Sequence, residues 1–128
     1  MSMLVYLASD TPFPAGWPIL EECPRDLLYD PEQDVRQQFS LRHIYYLGLG
    51  CDEKVLREYL CKHLKPGETA QLYECWACTE SEERDKSWDQ IVDLQKFIDY
   101  GDVEIPATEY AENEEKRFIT YFAPASMH

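Results

Sequence analysis

The run MLVYLAS at residues 3–9 constrains this chain more than any other feature. In an extended strand successive side chains point to opposite faces, so Met3, Val5 and Leu7 share one face while Leu4, Tyr6 and Ala8 share the other. Both faces are apolar, so a strand here has to be covered by protein on both sides. That reading requires a central strand with packing layers above and below it.

The next segment cannot supply another central element. Residues 10–31 carry five of the eight prolines, Pro12, Pro14, Pro18, Pro24 and Pro31. Proline lacks the N–H that a helix interior or a central strand needs. A long ordered loop is expected, pinned by Phe13, Trp17, Ile19 and Leu20. Asp30, Pro31 and Gln33 then form the cap, first-turn and capping-box positions of a short helix beginning at residue 31. RHIYYLG at 42–48 is a second run with two apolar faces, closed by Gly48 and Gly50.

DEKVLREYLCKHLKPG at 52–67 is the clearest helix, capped by Asp52 and stopped by Lys65-Pro66-Gly67. At 100° per residue, Val55, Leu56, Tyr59, Leu60, His63 and Leu64 fall within one half of the circumference. His63 is placed near the middle of that face as a packed core histidine, and Cys61 is placed nearly opposite, exposed among Lys54, Glu58 and Lys65. TAQLYECWA at 69–77 reads as a third strand, with Tyr73, Cys75 and Ala77 on one face. ESEERDKS at 80–87 reads as an acidic, solvent-facing loop or turn. WDQIVDLQKFIDYG at 88–101 suits a helix by the spacing of Ile91, Leu94 and Ile98, and a strand by its β-branched content. RFITYFA at 117–123 reads as the last strand.

These elements sum to one domain over residues 1–128, of α+β or small α/β class, with about four strands and two to three helices. Strand, helix, strand, helix, strand over residues 3–77 predicts that the first three strands are parallel through βαβ crossovers. The last strand is expected to join an edge, antiparallel to its neighbour.

Charge narrows the function classes. The net charge is −13. Residues 74–115 hold 14 acidic side chains against Arg84, Lys86 and Lys96, a local balance of −11. Nucleic-acid affinity comes largely from Lys and Arg displacing counterions, so direct nucleic-acid binding is not expected. Docking on an anionic membrane is disfavoured for the same reason, and no segment approaches the ~20 apolar residues of a membrane span. The first residues, MSMLVYLASD, lack the basic region of a signal peptide. A cytosolic setting is expected, in which the five cysteines are reduced thiols.

The cysteines raise the sharpest chemical question, because Cys75 and Cys78 form a Cys-x-x-Cys pair. A continuous strand sends residues i and i+3 to opposite faces, and no second Cys or His pair completes a zinc site. The acidic TESEERDKS that follows opposes the lowered thiol pKa of a redox dithiol. Cys75 is therefore read as a small apolar residue within the strand and Cys78 as a strand-end residue. The alternative is a thiol or metal function at the edge where parallel strands end, using Cys51, Cys75 and Cys78, with Asp10 joining them as a candidate ligand group. No cofactor-binding glycine motif and no nucleophile elbow is present, so no cofactor and no catalytic residue is assigned.

The stretches LVYLASDTPFP at 4–14, QQFSLRHIYYLGLGC at 37–51 and LYECWA at 72–77 together resemble a set of small bacterial proteins, mainly from Gram-positive species. Those proteins are richer in Gly and Cys after the tyrosine pair, where this chain keeps only Cys51. The resemblance implies a bacterial cytosolic setting and brings no activity with it. The leading expectation is a non-catalytic protein whose acidic 74–115 region, with aromatics such as Tyr100 and Tyr110, docks a basic protein partner.

Overall fold

A computed structural model describes residues 3–14, 16, 19, 21–23, 34–48, 53–76, 80–82, 89–95 and 116–124. Their elements are strands β1 (Met3–Ser9), β2 (Glu21–Cys23) and β3 (His43–Gly48), helix α1 (Glu53–His63), then strands β4 (Thr69–Trp76), β5 (Gln90–Asp93) and β6 (Lys116–Phe122). The strands form one mixed sheet in the order β2-β3-β1-β4-β6-β5.

This architecture overturns the expected fold class. Six strands share one sheet and α1 is the single helix of more than one turn among the described residues, where about four strands and two to three helices were expected. The parallel arrangement of the first three strands is also wrong. β1 lies between β3 and β4 and is antiparallel to both. β3 and β4 do run in the same direction and α1 does connect them, but the crossover spans β1 instead of joining neighbours. The proline-rich segment hides one missed strand. β2 pairs only with β3 at the sheet margin, where a short strand tolerates proline neighbours. The other missed strand, β5, uses the β-branched half of the ambiguous 88–101 stretch. At Leu94 the backbone turns helical, and Asp93 Oδ1 accepts a 2.9 Å hydrogen bond from the Gln95 amide. β5 pairs parallel with β6, so β6 is an inner strand and not the edge strand it was expected to be. Of the helix expected from residue 31, residues 31–33 lie outside the described residues, and Arg36–Gln38 form a single 3-10 turn.

The two apolar faces of β1 each meet a layer. On the first face Val5 and Leu7 pack with Tyr45, Leu47, Leu72, Ile119 and Tyr121 beneath Leu56 and Leu60 of α1 and Leu64 just after it. On the second face Ala8 packs with Ile44, Tyr73, Cys75 and Phe118 beneath Val35, Phe39 and Leu41. Each fully buried leucine or isoleucine stabilises the fold by roughly 1.5–3 kcal/mol relative to its exposed state. The register slips once, between Val5 and Tyr6, which face Gly48 and Tyr46. Gly48 supplies the φ of +99° at this bulge, a conformation that residues with a Cβ rarely adopt.

Helix α1 is rotated from its expected seating. Leu56, Arg57 and Leu60 are its buried residues, with Leu64 buried just past its end, which centres the buried arc near Leu60. His63 and Tyr59 are half-buried on one flank and Cys61, on the other flank, is half-buried against the first core cluster. The placement of His63 at the middle of the face and of Cys61 on the exposed side is corrected accordingly.

Candidate functional site

The antiparallel placement of β1 divides the expected strand-end edge into two. β3 and β4 finish where β1 begins, since Gly48 faces Val5 and Trp76 faces Met3. Ser9 instead faces His43 and Ala70, the starting ends of those strands. Asp10 therefore sits at the opposite sheet edge from the ends of β3 and β4. A seven-residue strand spans about 20 Å, so Asp10 does not join a site built on the residues following those strands. Cys51 and Cys78 lie outside the described residues.

Cys75 is placed clearly. It is fully buried on the second face of β4, within the cluster that contains Tyr73 and Phe118. The Tyr6 ring on β1 brings Cys75 together with groups that sequence reasoning did not connect. The Tyr6 phenol on β1 is pushed well above its ordinary value, first by burial and then by Glu80, Cys75, Cys23 and Tyr46. Tyr6 and Tyr46 hold their rings 5.4 Å apart. Glu80 was read as part of a solvent-facing loop, yet it is only 2% exposed and its Oε1 has no hydrogen-bond partner. The Gln38 side chain anchors that turn, donating from Nε2 to the carbonyl oxygens of Glu80 at 3.0 Å and Glu82 at 2.7 Å. The only sequence signal for this burial was the alternation that puts Tyr6 and Cys75 on one face.

A protonated, half-buried tyrosine near a fully buried thiol is poor catalytic equipment. Cys75 is fully buried within an apolar cluster, the setting of an inert structural cysteine and not of an exposed, activated thiolate. Cys23, Cys61 and Cys75 are not joined in disulfides. Cys61 is pushed up by burial and then by Glu58, which keeps its thiol protonated. Among the described residues, no group of three His, Cys, Asp or Glu side chains converges to hold a metal ion.

The edge that Asp10 shares holds an aromatic cluster. Phe13 packs against Tyr45 at 5.5 Å and Tyr59 at 5.4 Å, and Tyr59 stacks on His63 at 4.3 Å. The Phe13 amide donates to the Tyr45 hydroxyl at 2.8 Å, and the Tyr59 hydroxyl donates to the Pro14 carbonyl at 3.3 Å. Glu68 closes the edge by accepting from the Thr11 hydroxyl and, at 2.7 Å, from the Lys65 amide. The Thr11 bond holds the Glu68 carboxyl below its ordinary range. Burial, helped by Lys62, pushes His63 below its ordinary value. Burial lifts Tyr59 to about 12. At neutral pH this edge therefore presents uncharged rings, with exposed Asp10 beside them. It works as a plug that fixes the loop after β1 to α1.

No family model, curated protein or solved structure matches the chain. No helix among the described residues is long and apolar enough to cross a membrane.

Proposed function

We propose that this chain acts by binding another protein through its acidic 74–115 segment, without chemistry of its own, and that its partner is basic. The observation that carries the reading is the balance of −11 over those 42 positions, against −4 over residues 1–73. A surface field of one sign raises the encounter rate with a partner of the opposite sign and suppresses like-charged partners. The same field disfavours nucleic acid and anionic membranes as partners, and a cytosolic setting accords with cysteines held as thiols. The full burial of Cys75 in an apolar cluster, with the Tyr6 phenol near it held protonated, supports a structural role for that residue over a thiol or metal function.

The test compares two charge reversals of equal size in capture from a bacterial lysate. Glu82→Lys with Asp85→Lys alters the acidic segment, whereas Glu21→Lys with Glu58→Lys alters the rest of the chain by the same net charge. The reading expects partners captured at low salt to be lost at high salt and lost selectively with the first pair. Equal loss with both pairs, or capture indifferent to salt, overturns it.

A further inference from the structure

We infer that the outer edge of β5 is a strand-docking site, and that its occupant is an extended, basic segment of another protein added alongside Gln90–Asp93. This inference rests on the acidic-segment reading above and specifies its mode.

Among the described residues β5 is the terminal strand of the sheet, paired on one side with β6. In a parallel pair, alternate residues turn their N–H and C=O groups away from the partner strand, so the outer side of β5 is a template for another strand. Natural edge strands are commonly protected by an inward-pointing charge or a proline at the middle of the strand. β5 has neither, since its two central residues are Ile91 and Val92. Val92 packs against the first core cluster beneath α1. Ile91 points to the other face and is 75% exposed, the only large exposed hydrophobic residue among those described. It lies level with Thr120 of β6, and Phe122, two residues further on the same face, is also only partly covered. The contact on offer is therefore a strand edge with an apolar side chain at its centre.

Charge selects the occupant. Asp89 and Asp93 bracket the strand, and the 74–115 stretch of sequence to which it belongs carries the balance of −11. A second copy of this chain would set two such segments against each other, and like charges facing across paired strands are destabilising. A partner strand alternating Lys or Arg with apolar residues places cations toward the acidic flanks and an apolar side chain against Ile91. Main-chain hydrogen bonds supply affinity in this mode, and the alternate side chains supply specificity.

The probe is a short synthetic peptide alternating lysine and valine, compared with a peptide of equal charge whose central valine is proline, each titrated at low salt onto the full chain. The first peptide is expected to bind and to slow amide exchange at residues 90–93. The proline peptide is expected to bind about tenfold more weakly or worse, because it cannot complete the ladder. Ile91→Ser should weaken the first peptide about tenfold while leaving the circular dichroism and melting temperature of the free chain unchanged. Equal binding of both peptides with no protection of β5 overturns strand addition and leaves the electrostatic reading standing. No binding of either peptide overturns both.

Discussion

At the residue scale, function is constrained most by groups that the fold has silenced. Buried Cys75 and buried Glu80 both bear on the half-buried Tyr6 phenol, and burial first holds that phenol in its protonated form. In native protein, Cys75 is predicted to react with a thiol reagent far more slowly than after denaturation. A Cys75→Ala variant should lose about 1–2 kcal/mol in chemical denaturation, the cost of a small buried side chain and its cavity. His63 carries a second residue-scale prediction. Its folded-state pKa is below the ordinary value of 6.5, so the unfolded chain binds a proton more readily. Its contribution to stability is therefore complete above about pH 6.5 and is lost as pH falls through the folded value. Melting temperatures followed downward from pH 7.5 should fall in the wild type and flatten in His63→Gln. A steeper fall in the variant would contradict the assignment. Glu68 has the same sign in a more acidic window, below its ordinary value of 4.5, because the Thr11 hydroxyl and the Lys65 amide favour its charged form.

At the element scale, the turn between α1 and β4 depends on Gly67. Its φ is +86° and its amide donates to the Ala123 carbonyl at 2.6 Å, which ties the turn to the end of β6. A Cβ there would meet no atom within 4 Å, so Gly67→Ala pays only for the left-handed backbone, about 1–2 kcal/mol by chemical denaturation. A neutral result would mean that the turn relaxes to another conformation. What the sequence revealed at this scale was local. Two-faced apolar runs at 3–9 and 42–48, the alternation at 69–77 and 117–123, and the capped helix at 52–64 each found their element within a residue or two. Strand order and direction were not legible, because a strand–helix–strand pattern is satisfied equally by neighbouring strands and by strands with a third between them. β2 was masked by prolines that a margin position tolerates, and β5 by a stretch that changes from strand to helix at Leu94. The burial of Glu80 was equally hidden, since it depends on Gln38 reaching across from a distant segment. The misplacement of Asp10 followed directly from the reversed direction of β1.

At the scale of the whole molecule, one sheet is covered on its two faces by α1 and by residues 35–41, and its margins are unequal. β2 ends one margin with three residues, two of them exposed glutamates, Glu21 and Glu22. β5 ends the other with Ile91 toward solvent, inside the most acidic region of the chain. The strand edge at β5 thus belongs, in sequence, to the most acidic stretch of the chain, with Asp89 and Asp93 at its two ends. The salt dependence expected of the complex follows from exposed charges, whose interactions are screened beyond about 8–10 Å at physiological ionic strength. The most direct test is amide hydrogen exchange on the full chain, alone and with the basic protein that it captures at low salt. New protection is expected at residues 89–93 and within 74–115, with α1 unchanged. Protection confined to α1 or to β2, with β5 exchanging as in the free chain, would contradict it.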